Sequence, residues 1–123
     1  SLNTARSKGT DAKIMSEMSS VKTSAELYYG DNNNSYNTSG AAITDCVTGM
    51  FASAVNTNIL QIMTDLIALS ATLDPACNIS ADGAEYAVQH QLTTPSTDTY
   101  FCVEGTGKVS TSSTALGTDT ACP

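Results

Sequence analysis

Apolar positions near the start of the chain recur at the spacing of one helical face. Ile14, Met18, Val21, Ala25 and Tyr28 follow intervals of four, three, four and three, which line a single stripe on a helix. The stripe predicts one long helix over 3–29 with these five residues as its core face. Lys13 with Glu17 and Lys22 with Glu26 stand four apart, the spacing of supporting ion pairs. Gly9 weakens the helix by about 1 kcal/mol relative to Ala. Before Ile14 the apolar pattern thins to Leu2, Ala5 and Ala12. That is too little to be held by a core, so the opening third is expected to project beyond its own domain. Gly30 and the Asn32-Asn33-Asn34 run end the helix, since both residue types suit turns and positive φ. Residues 31–46 then read as a polar loop anchored by Tyr36 and Ile43.

A second stripe follows. Ile59, Ile62, Leu66, Leu69 and Leu73 repeat at three, four, three and four, and Leu60, Met63 and Ile67 widen it. A helix over 56–72 is expected, capped by Asn56 or Thr57 and stopped before Pro75. Met50, Phe51 and Val55 are expected to pack beneath it. From there the period shortens to two. In 84–92, Tyr86, Val88, His90 and Leu92 alternate with Ala87, Gln89 and Gln91, the pattern of a strand. Thr94–Thr97 reads as a turn and Tyr100–Glu104 as a second strand. Glu104-Gly105-Thr106-Gly107 makes a tight hairpin into a third strand over 108–112. The fold class is therefore α+β. A long N-terminal helix packs on a small antiparallel sheet of about three strands, with a second helix in the connection. The 123 residues make one domain: a helical spine over 1–29, a connection over 30–83, and sheet plus C-terminal loop over 84–123.

Composition changes the picture in two ways. Ser and Thr number 33 while charged residues reach only 14%, a surface more common in exported chains. The net charge of −7 is unevenly laid. Residues 1–30 carry Arg6, Lys8, Lys13 and Lys22 against three acids, whereas 31–123 carry Lys108 alone against nine. An acidic body argues against nucleic-acid binding by phosphate neutralisation. The four cysteines, Cys46, Cys77, Cys102 and Cys122, are widely spaced, with no C-x-x-C pair. They read as two disulfides formed in an oxidising compartment, not as a zinc site. No stretch is long and apolar enough to cross a bilayer. A chain that starts at Ser1 without an initiator Met or leader reads as processed or trimmed.

The run Ser1-Leu2-Asn3-Thr4-Ala5-Arg6-Ser7-Lys8, with Asp11-Ala12-Lys13 and Ser16-Glu17-Met18, resembles the first helix of type IV pilins just past its membrane-spanning half. Ala25-Glu26-Leu27-Tyr28-Tyr29, then Asp31-Asn32-Asn33 and Ser35-Tyr36, resembles the end of that helix and its exit loop. Tyr86-Ala87-Val88 with Tyr100-Phe101-Cys102-Val103-Glu104 and Gly107 is similar to the family's terminal sheet. The leader, the methylated first residue and the apolar half-helix of that family precede such a segment. The resemblance therefore implies a soluble part cut midway through the helix. It implies a structural subunit of a surface filament serving adhesion and motility, stored in the inner membrane before assembly. Leu2, Ala5 and Ala12 would face neighbouring helices, and Arg6, Lys8 and Lys13 would meet acidic loops of adjacent copies. Expected partners are further copies of the chain, the pilus assembly machinery and a host or surface receptor.

Within that frame Cys46–Cys77 would bracket the second helix and Cys102–Cys122 would fasten the Ser/Thr-rich tail. The pairing Cys77–Cys102 with Cys46–Cys122 stays open. Two other readings stand beside the shaft subunit. A minor pilin or adhesin would use loops 31–46 and 94–99 as its contact surface. A secretion pseudopilin would hold calcium on Asp98, Asp119 and loop carbonyls. Catalysis finds little support. His90 is the only histidine, it shares a strand face with Tyr86 and Val88, and no G-x-S-x-G occurs. No cofactor or metal is expected of the shaft subunit. Asn-x-Ser/Thr sequons stand at Asn33, Asn37 and Asn78.

Overall fold

A computed structural model describes residues 1–69, 75–96 and 98–123. The elements in chain order are helix α1 (Leu2–Asp31), a short 3-10 turn (Gly49–Ala52) and helix α2 (Ile59–Ala68). Strands β1 (Pro75–Ile79), β2 (Tyr86–Gln91), β3 (Tyr100–Glu104) and β4 (Val109–Ser112) follow. The strands pair antiparallel in the order β1-β2-β3-β4. This is the α+β layout expected from the sequence, with one strand more than anticipated.

The extra strand is β1. Pro75-Ala76-Cys77-Asn78-Ile79 shows no clean apolar alternation, because both of its faces are used. Cys77 and Ile79 lie in the main core, while Asn78 points to the opposite side, and all three are buried. Pro75 sits at the first position of an edge strand, where its missing N–H costs no ladder bond. On its outer edge β1 exchanges two backbone hydrogen bonds with Ile43 through Ile79, at 3.0 and 2.8 Å. Loop 31–46 is thus tied to the sheet, and both expected anchors, Tyr36 and Ile43, are buried.

Helix α1 buries Ile14, Met18, Val21, Ala25 and Tyr28 against the sheet and α2. It runs through Gly30 and stops at Asp31. The termination comes from asparagines rather than from the glycine. Asn32 donates its side-chain amide to the Tyr28 carbonyl at 2.8 Å, and Asn33 and Asn34 take positive φ. Asn tolerates that region because its short amide bonds locally. Gly83 turns the chain from β1 to β2 with φ +72°, and a Cβ there would meet Ser35 Oγ at 1.9 Å. Only glycine fits that approach.

Helix α2 is shorter than its stripe suggested. Asn56 has positive φ and Thr57 turns inward, donating its hydroxyl to the Ser53 carbonyl at 3.2 Å. The helix therefore begins at Ile59 with Asn58 as N-cap, which gives no side-chain cap bond. Ile59, Ile62, Met63 and Leu66 are buried; Leu60 and Ile67 lie on the solvent side, and Leu69 is half-buried. Val55 does not pack beneath α2 and is 75% exposed, whereas Met50 and Phe51 are fully buried there. Leu73 and the expected end of the helix at 72 lie outside the described residues.

The disulfides are Cys46–Cys77 and Cys102–Cys122. The first joins the loop before α2 to the strand after it, and so brackets the helix. The second pins the chain end to β3.

Candidate assembly surface on the N-terminal helix

At 1.5 Å per residue, α1 is about 45 Å long. Its two parts are held by different forces. From Ile14 to Tyr28 one stripe is sealed in the main core. Ahead of Ile14 the same stripe continues through Asp11 and Ser7, at intervals of three and four. Polar residues there meet a polar receptor, the turn after β2. Asp11 is only 3% exposed. Its Oδ1 accepts from the Thr93 N–H at 2.7 Å and the Thr93 hydroxyl at 2.7 Å. Its Oδ2 accepts from the Thr94 N–H at 3.0 Å and the Thr94 hydroxyl at 2.5 Å. The Thr93 hydroxyl also reaches the Ser7 carbonyl at 3.0 Å.

Burial pushes the Asp11 carboxyl up. The Thr94 hydroxyl, the two backbone N–H groups and the Thr93 hydroxyl together outweigh that and hold it below the usual carboxylate value. The helix is therefore clamped to the body as far as Ser7, and the free extension is residues 1–6. This corrects the expectation that the whole opening third stands clear. The clamp was visible as a signal, because Asp11 is the one acid on the extended core stripe. A carboxylate in that register calls for donors across from it.

Leu2, Ala5, Arg6, Lys8, Ala12 and Lys13 are all exposed, Leu2 by 66%. Among the described residues none of the three cationic side chains has an ion-pair or hydrogen-bond partner. The expected i,i+4 pairs do not form. Lys13 and Glu17 stay apart, and Lys22 donates to the Gly107 carbonyl at 3.1 Å instead. Glu26 accepts from the Tyr36 hydroxyl at 2.6 Å. Tyr36 packs between Tyr29, at a tilt, and the edge-on Tyr86, with ring centroids 4.6 and 4.7 Å away. Burial and the Glu26 carboxylate raise the Tyr36 hydroxyl well above its usual range. The lower end of α1 is thus basic, lightly apolar and without an ion-pair partner among the described residues, while the upper end is welded to the sheet.

The other candidate residues lie elsewhere. His90 is fully buried, with Nδ1 2.7 Å from the Gln91 carbonyl and Nε2 3.3 Å from the Leu66 carbonyl, so it bridges β2 to α2. Among the described residues no three of His, Cys, Asp and Glu gather as a metal-binding group. Asp98 is exposed in the turn before β3, and Asp119 lies in the tail, its carbonyl taking a hydrogen bond from Asn78. Loop 94–99 includes Thr97, which lies outside the described residues. No described helix is long and apolar enough to cross a membrane. No family model, curated protein or solved structure matches the chain.

Proposed function

We propose that the chain is the globular part of a type IV pilin, a structural subunit that polymerises through its N-terminal helix into a surface filament. The observation that carries this reading is the division of α1. One stripe of a single 30-residue helix is sealed across a sheet, and the end ahead of it keeps Leu2, Ala5, Arg6, Lys8, Ala12 and Lys13 open. A helix that served only its own domain would gain nothing from three exposed basic side chains that have no partner among the described residues. Copies stacked along an axis would bring that end to the acidic body of a neighbour, which carries eight net negative charges over 31–123. Each such contact is worth about 0–1 kcal/mol at a surface, and repetition along a fibre adds them. The two disulfides suit an extracytoplasmic, cell-surface location.

Charge reversal tests the reading. Lys13→Glu in the native cell is expected to abolish or sharply reduce surface filaments while the purified domain melts unchanged. Filaments that persist at the parent level overturn it. The content of sheared filaments separates the shaft subunit from its alternative. A shaft subunit is their main protein, whereas a tip adhesin is nearly undetectable there.

A further inference from the structure

The fold treats the three sequons differently. Asn37 is 6% exposed. Its Nδ2 donates to the Ala41 and Ser80 carbonyls at 2.7 and 3.0 Å, and its Oδ1 accepts from the Ser39 N–H and hydroxyl at 2.9 and 2.8 Å. Asn78 is 2% exposed within β1, and its Nδ2 donates to the Gly117 and Asp119 carbonyls at 2.9 and 2.7 Å. In both, the nitrogen that would carry a glycan has its two donors engaged inside the fold. Modification at Asn37 requires opening the turn that locks loop 31–46 to the sheet, and modification at Asn78 requires lifting the tail. Asn33 is the opposite case. It is exposed at the tip beyond α1, and its side-chain amide makes no hydrogen bond among the described residues.

We propose that Asn33 is a site of asparagine-linked glycosylation on the folded chain. The co-substrate is a polyprenyl-diphosphate-linked oligosaccharide. Asn33 Nδ2 forms a bond to the anomeric carbon of the donor sugar, and the bond from that carbon to the diphosphate oxygen breaks. The polyprenyl diphosphate leaves with the bonding pair, and Nδ2 gives up one proton to solvent, so no oxidant or reductant is involved. The disulfides fit the compartment in which such transfer takes place, and a bulky polar glycan belongs on an exposed loop.

The sequon's hydroxyl is the one part already occupied. Ser35 Oγ donates to the Asn37 carbonyl at 2.7 Å and accepts from the Asn37 N–H at 3.1 Å. Engagement by a transferase frees that hydroxyl by breaking two half-buried hydrogen bonds, and the core stays shut. A glycan on Asn33 lies at the far end of α1 from Leu2, about 45 Å away at 1.5 Å per residue. It leaves the basic end open, and the assignment stands whether or not the chain polymerises.

Peptide mapping by mass spectrometry tests it in two settings. The chain recovered from its own cells is expected to carry a glycan mass on the peptide containing Asn33, and on neither of the other two sequons. The purified, oxidised full chain, given an oligosaccharyltransferase and its lipid-linked oligosaccharide, is expected to take one glycan, at Asn33. Asn33→Asp, which keeps a residue tolerant of positive φ, takes none and melts like the parent. The reduced, unfolded chain is expected to be modified at Asn37 and Asn78 as well. A bare Asn33 peptide from native cells overturns the assignment. So does a folded chain that takes no glycan in vitro, or one modified as readily at Asn37 or Asn78.

Discussion

The two faces of the sheet are covered in opposite ways. Toward the helices, rows such as Cys77–Val88–Val103 and Ile79–Tyr86 meet Ile14, Met18, Val21 and Leu66 in one continuous apolar core. On the other side the cover is the tail, residues 113–123, which has no regular structure and offers only Leu116 and Cys122 as buried apolar groups. Small residues let the chain lie close, as Ala76 and Ala87 stand where larger side chains would hold it off. Buried polar side chains then take the place of a strand ladder. Gln89 donates to the Thr114 carbonyl at 2.8 Å and accepts from the Leu116 N–H at 2.7 Å. Asn78 holds two tail carbonyls, and Glu104 accepts from the Cys122 N–H at 2.5 Å. Lys108 reaches the Cys122 carbonyl at 3.0 Å. One face is held by area removed from water, the other by directed bonds and a disulfide. Faults are therefore expected to be global on the first and local on the second.

The largest effect is expected from a charge on the helix side. Val103 is fully buried in the main core. Val103→Asp places an unpaired carboxylate there, at a cost of more than about 4 kcal/mol, which is a large share of a small domain's stability. Urea melts should show mostly unfolded chain at neutral pH. A folded variant with a near-parent midpoint would break the claim that this face carries the fold. Next comes the tail. Replacing both Cys102 and Cys122 by Ser removes a loop constraint worth about 3 kcal/mol. Hydrogen exchange should then lose protection over 113–123 while α1 and β2 keep theirs. Uniform loss across the chain would show that the two faces are one cooperative unit.

How much of this was legible follows the same division. The helix side was readable because burial leaves a period. The α1 stripe and the alternation of Tyr86, Val88, His90 and Leu92 each have one apolar side to report. β1 left too short a trace, since the run Pro75-Ala76-Cys77 is apolar on both faces and only Asn78, itself buried, interrupts it before Ile79. The tail likewise reads as low complexity, because its partners are amides whose roles depend on which carbonyls stand opposite. Gln89 and Asn78 look like solvent-facing residues until that is known. The Asp11 clamp is a middle case, in register with the stripe but polar in a place where only donors from a distant turn explain it. The open residues of α1 were legible as thin pattern. Under the proposed filament reading their partners would lie on another copy, which no single chain's periodicity records.

A smaller effect isolates the directed bonds. Asn78→Ala leaves the Gly117 and Asp119 carbonyls without their donor at a nearly closed site. The expected cost is about 1–3 kcal/mol, with the exchange change again confined to the tail. Gln89→Ala should behave alike and strip Thr114 and Leu116 of their partner. If both variants melt at the parent midpoint, the disulfide, Leu116 and the Glu104 and Lys108 bonds to Cys122 hold the outer face.

The smallest effect compares two carboxylates through pH. Burial raises the Glu104 carboxyl, and the Thr106 hydroxyl, the Cys122 N–H and the Lys108 charge outweigh it, so it too lies below its usual value. Asp11 does the same on the helix side. For each, the folded state holds its proton less tightly than the unfolded chain. The stability each contributes is therefore complete above the unfolded value, about 4, and drains away as pH falls through the lower folded value. The chain should accordingly lose stability below pH about 4 by more than variants lacking these groups. Asp11→Asn should flatten that acid limb and free exchange around Ser7 and Thr93–Thr94. Glu104→Gln should flatten it too, but free the amides near Cys122. Equal acid limbs in parent and variants would mean that neither carboxylate is bonded as drawn. Swapped exchange patterns would mean that the clamp and the tail communicate through the sheet they share.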